Sequence, residues 1–107
     1  MNKALEVLNQ ILEKTRQGKI PWESTELSHQ FLATVHDEDG TLVFQIYAPP
    51  VDLIGLRIES EEGEELFHVN SSILPEDGER ALEELYTTIQ SQLKVGVSRV
   101  LEALNRL

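Results

Sequence analysis

An amphipathic helical pattern, then four short stretches of alternating hydrophobicity cut by turn signals, then a longer helical pattern: this order constrains the chain more than any other feature. The turn signals are Asp37-Glu38-Asp39-Gly40, Pro49-Pro50-Val51-Asp52 and Glu61-Glu62-Gly63. Connections this short favour antiparallel neighbours, so the strands are expected as a meander in the order 1-2-3-4. The predicted fold class is α+β: an N-terminal helix, a four-stranded antiparallel meander and a C-terminal helix, with the helices on one face, in a single domain over residues 1–107. A helix inserted between strands finds no support, because Gly40 to Asn70 carries no helical period.

Residues 3–17 read as the first helix. Leu5, Leu8, Ile11 or Leu12, and Thr15 recur at helical spacing, while Glu6, Glu13 and Lys14 fall outside the stripe. Lys14 and Arg16 suit its last turn, Gly18 the left-handed position after it, and Pro21 blocks continuation. In the four strands Phe31, Ala33 and Val35 share a face, as do Leu42, Phe44 and Ile46, then Ile54, Leu56 and Ile58, then Phe67 and Val69. The opposite face mixes Thr34, His36, Gln45, Arg57, Glu59 and His68 with Leu32, Val43, Tyr47 and Leu66. An uncovered face of that kind is a candidate self-association surface.

The second helical stripe runs through Leu82, Leu85, Tyr86, Ile89, Leu93, Val97, Val100 and Leu104. Acidic Glu76, Asp77 and Glu79 suit its N-terminus, and Arg99 and Arg106 its C-terminus. Residues 79 to 107 as one helix would extend roughly 43 Å, against about 23 Å for a seven-residue strand. A break near Gly96, with Ser98 capping a new helix, is therefore expected. The remaining option is an overhanging helix that packs on another subunit.

Charge is unevenly spread. Residues 1–30 carry four basic and four acidic side chains and residues 81–107 three of each, whereas residues 31–80 carry two basic and twelve acidic. The net charge of −10 thus resides in the sheet region. Nucleic acid and anionic membrane surfaces, which select basic clusters, are not expected partners. A basic protein partner is compatible with it, and so is a purely solubilising role. The absence of cysteine excludes disulfides, thiolate nucleophiles and cysteine-based zinc sites, and it fits a cytoplasmic location. Glu6 and Glu13, which interrupt the N-terminal segment on the helix's polar side, argue against a signal peptide.

Thr15-Arg-Gln-Gly18-Lys-Ile20-Pro-Trp22, placed directly after an amphipathic helix, resembles the opening of small uncharacterised bacterial proteins with a Thr-x-x-Gly-x-Ile-x-Trp stretch. In those proteins a strand meander follows, then a helix carrying Leu-x-x-Leu-Tyr, here matched by Leu82-Glu-Glu-Leu85-Tyr86. The resemblance implies a helix–sheet–helix domain and brings with it no activity and no site residues. The Pro49-Pro50 turn and the tail after Leu93 depart from the pattern.

Few residues suggest chemistry. Trp22 is the only tryptophan. It reads as a plug at the end of the core or, alternatively, as an exposed anchor for a partner. Asp37, Glu38 and Asp39 before Gly40 form a hairpin turn signal, and they lack the spacing of an EF-hand calcium loop. In a 1-2-3-4 meander the first and third turns share one end of the sheet, about 10 Å apart. Asp37, Glu38 and Asp39 would then neighbour Glu61, Glu62, Glu64 and Glu65. Such an acidic pole can bind a basic partner or hold a divalent cation loosely, and it can equally be a solvated tip that deters edge aggregation. His29, His36 and His68 lack the spacing of a local metal pair. Gly40, Gly55, Gly63 and Gly78 are isolated, so no phosphate-cradling loop is present, and no nucleophile elbow frames a serine.

The expectation is thus a small non-catalytic cytoplasmic interaction or regulatory domain, with no cofactor and a possible homodimer. One alternative is an immunity-like or inhibitor protein that meets a basic partner through the acidic pole. Another is a small metal binder or enzyme using the acidic turns.

Overall fold

The computed structural model describes residues 3–25, 29–48 and 53–107, with residues 94–98 by backbone alone. Helix α1 spans Lys3–Arg16 and helix α2 Glu76–Asn105. Between them lie β1 (Glu23–Ser24), β2 (Gln30–Asp37), β3 (Gly40–Tyr47), β4 (Gly55–Ser60) and β5 (Glu65–Asn70). All pair antiparallel in one sheet of order β1-β2-β3-β4-β5. The α+β class and the meander agree with expectation, but the sheet has five strands and not four. The additional strand is two residues long, with Glu23 opposite Leu32 and Ser24 opposite Phe31. A pair of residues has no alternation to recognise. The Pro49-Pro50-Val51-Asp52 turn signal lies outside the described residues.

Register explains the core. Phe31 faces Ile46 and Ala33 faces Phe44; Phe44 then faces Ile58, and Ile46 faces Leu56. Leu56 in turn faces Val69. These side chains share one side of the sheet and form a single buried cluster with Leu8, Ile11 and Leu12 of α1 and Ala81, Leu82, Leu85 and Ile89 of α2. Leu8, Ile46, Leu56, Leu82, Leu85 and Ile89 are wholly buried, each contributing about 1.5–3 kcal/mol relative to exposure.

The Thr-x-x-Gly-x-Ile-x-Trp stretch is a helix end and a plug. Gly18 takes φ +73°, with its N–H donating to the Thr15 carbonyl and the Lys19 N–H to the Lys14 carbonyl, both at 3.0 Å. This pair of bonds is the Schellman arrangement, and its left-handed residue favours glycine. The chain then turns Ile20 and Trp22 into the core. The indole Nε1 of Trp22 donates to the buried Thr15 hydroxyl at 3.0 Å. From α2, Gln92 Nε2 donates to the Thr15 carbonyl at 2.7 Å, so Thr15 links α1, the plug and α2.

The expected break in the second helix near Gly96 is absent, and α2 is helical throughout Glu76–Asn105. An interior glycine costs a helix about 1 kcal/mol. A break would instead leave two new helix ends, each with four unpaired backbone groups. The helix therefore overhangs. Among the described side chains Leu93 is its last packed against the core, and the backbone of residues 94–105 continues for about 18 Å at 1.5 Å each. There Val100, Leu101 and Leu104 are 59%, 55% and 58% exposed. No helix among the described residues is long and apolar enough to cross a membrane.

Candidate interaction surfaces

Three surfaces collect the side chains singled out by sequence. The first is the strand-tip end. The order β2-β3-β4-β5 brings the β2–β3 and β4–β5 turns to the same end, where Asp37, Asp39, Glu61 and Glu62 border one depression with Leu42 and Leu66. Both turns are braced by backbone N–H groups donating to side-chain oxygens. Asp37 Oδ1 accepts from the Asp39 N–H at 2.7 Å, and Ser60 Oγ from the Glu64 N–H at 3.1 Å. Gly40 and Gly63 adopt positive φ, as these tight turns require. Glu38 and Glu64 are exposed. Glu65 departs from the expected pole: it starts β5 and reaches inward to Arg57 and His68. Among the described residues no three His, Asp or Glu side chains converge closely enough to hold a metal ion.

The second surface is the sheet face away from the helices. Leu32, Val43 and Tyr47 are half-buried there. Leu66 does not join them. Glu59 pairs with Glu65 instead of Leu66, so Leu66 is the surplus residue of a β-bulge, which disrupts strict alternation. It borders the tip depression instead. The bulge aims Glu65 at the same face as Glu59, and Arg57 answers both. Arg57 Nε lies 3.2 Å from Glu65 and Nη1 3.7 Å from Glu59. The Nε contact is an ion pair off the hydrogen-bonding axis. His68 Nδ1 is 3.3 Å from Glu65, and His68 Nε2 shares a 2.8 Å hydrogen bond with the Tyr47 hydroxyl. Sequence reading placed Tyr47, Arg57, Glu59 and His68 on this face but not in one chain of contacts. The bulge that recruits Glu65, and the strand crossing that brings Tyr47 to His68, leave no periodic signal.

The other histidines stand apart. His36 Nδ1 is 3.0 Å from Thr41 Oγ1 on the neighbouring strand. The His29 carbonyl accepts the Ala48 N–H at 2.9 Å. Trp22 is 7% exposed and plugs the core, so it offers no anchor to a partner.

The third surface is the free end of α2. Six large apolar side chains are exposed among the described residues: Leu66, Ile73, Val100, Leu101, Leu104 and Leu107. Four of them lie between 100 and 107. Isolated exposed apolar residues are ordinary, whereas a contiguous patch marks an interaction surface. The stripe was legible in sequence, but its exposure followed only once the helix was seen to pass the core.

No protein-family model matches the chain. No curated protein shows significant similarity to it, and no solved structure does.

Proposed function

We propose that this chain is a small non-catalytic interaction domain, working in the cytoplasm, that engages protein through the free end of α2. The observation that carries this reading is the concentration of exposed Val100, Leu101 and Leu104 on the last turns of α2, with exposed Leu107 just past its end. The helix is anchored by its first half, so its end is preformed and association incurs little ordering cost. Its apolar stripe suits recognition of another helix or a groove. The absence of cysteine accords with a reducing compartment.

A second reading uses the strand tips. Asp37, Asp39, Glu61 and Glu62 line a depression together with Leu42 and Leu66, a combination suited to a basic side chain with an aliphatic stem, as an inhibitor or immunity-like protein would require.

Capture experiments separate the two. Immobilised wild type is compared with Leu101→Ser/Leu104→Ser and with Asp37→Asn/Glu61→Gln. A bound protein lost only with the helix variant supports the first reading. Loss only with the tip variant moves the function to the acidic end, and capture unchanged by both overturns the two readings together.

A further inference from the structure

Resting on that reading, we infer that the occupant of the α2 end is the same helix segment of a second copy of this chain, packed antiparallel. The spacing changes character where the helix leaves the core. Leu82, Leu85, Ile89 and Leu93 are separated by three, four and four residues, a broad face suited to a globular interior. From Leu93 onward the stripe runs Leu93, Val97, Val100, Leu104, Leu107, alternating four and three. That alternation is the seam of paired helices. Gly96 and Ala103 lie seven apart along one flank of it, where small residues let two backbones approach within the usual 8–10 Å.

Charge selects both the occupant and its direction. Residues 94–107 hold Lys94, Arg99 and Arg106 against Glu102, a net of +2, whereas residues 1–93 hold six basic and eighteen acidic side chains, a net of −12. Two parallel tails would set two bodies of −12 side by side. Antiparallel tails hold the bodies at opposite ends, and each basic tail lies toward the acidic body of the other copy. A face-to-face sheet dimer through Leu32, Val43 and Tyr47 would bring two sets of Glu59 and Glu65 together, a repulsive contact. In the antiparallel arrangement position 93 lies level with position 104 of the second copy and position 97 with position 100, each pairing made twice. Four such layers over about 18 Å of overhang fall short of the roughly 800 Å² per partner of a standard interface, so the dimer is reversible and concentration-dependent.

Sedimentation equilibrium of the full chain from micromolar to millimolar concentration tests this, together with disulfide trapping in a chain that has no cysteine of its own. The expected result is a monomer–dimer equilibrium, weakened at least tenfold by Leu104→Asp. An equimolar mixture of Leu93→Cys and Leu104→Cys chains, oxidised, should give the mixed disulfide well above the twofold excess over each symmetric one that random pairing produces. A chain monomeric throughout the range, a dimer indifferent to Leu104→Asp, or trapping dominated by the symmetric Leu104→Cys product would each overturn the inference. A monomeric chain that still captures another protein through Leu101 and Leu104 would overturn self-pairing alone and leave the interaction reading standing.

Discussion

The hydroxyl of Tyr47 on β3 meets His68 Nε2 on β5 at 2.8 Å, passing over β4 at the one position where that strand has no side chain. Gly55 lies opposite Tyr47 on one side and Asn70 on the other. A Cβ built on Gly55 would come within 2.2 Å of the Tyr47 ring. Gly55→Ala should therefore displace the ring, break the bond to His68 and cost about 1–3 kcal/mol, as overpacking does. In a Tyr47→Ala background the same change should be neutral or stabilising, because glycine weakens a strand interior. Urea denaturation of the four proteins in the cycle measures this coupling.

The Trp22–Thr15 bond gives the second expectation. Thr15 is fully buried and is the acceptor for the indole N–H. Thr15→Val keeps the shape and leaves that donor unpaired, at a cost of about 1–3 kcal/mol. Thr15→Ser restores the acceptor and should recover part of the loss. Denaturation midpoints followed by Trp22 fluorescence report both, since the chain has one tryptophan.

Arg57 separates two carboxylates that the register sets directly opposite, Glu59 and Glu65. Arg57→Met leaves like charges facing each other and should destabilise the sheet by about 1 kcal/mol. Adding Glu59→Gln should restore most of that. If the second substitution has no effect, the cost arises from lost packing of the arginine stem and not from repulsion.

Tyr86 packs its ring 5.6 Å from that of Phe31, and desolvation by burial raises its pKa above the ordinary 10.0. The raised value means that the folded state holds the phenolic proton more tightly. The associated stability is fully present below pH 10 and is lost as pH rises through the folded-state value. Tyr86→Phe should make the alkaline loss of stability shallower, as read from denaturation midpoints between pH 8 and 11.

Residues 99–107 are exposed and lie outside the core cluster. A chain ending at Ser98 should stay folded, with stability changed by about 1 kcal/mol or less, the scale of surface alterations away from packed features. Thermal unfolding followed by circular dichroism would show a similar midpoint and a smaller helical signal.

Much of the fold was written in periodicity. Phe31, Ala33, Phe44, Ile46, Leu56, Ile58 and Val69 alternate so regularly that their shared face and pairing order could be read directly. What escaped has local physical reasons. Glu23 and Ser24 are too few to alternate. Gly96 carries a breaking tendency of about 1 kcal/mol, and continued backbone pairing outweighs it. Glu65 and Leu66 exchange their expected roles because a bulge displaces the frame by one residue. The candidate surfaces were legible as residue lists, and only the positions of the helix end and the bulge decided which lists became surfaces.

That bulge has a further consequence. Glu59 already pairs with Glu65 across the surplus Leu66, so deleting Leu66 would leave Phe67 toward the core and Glu65 toward Arg57. The β4–β5 hairpin thus holds one residue of slack, a point where chain length can change during divergence while both sides of the sheet keep their assignments.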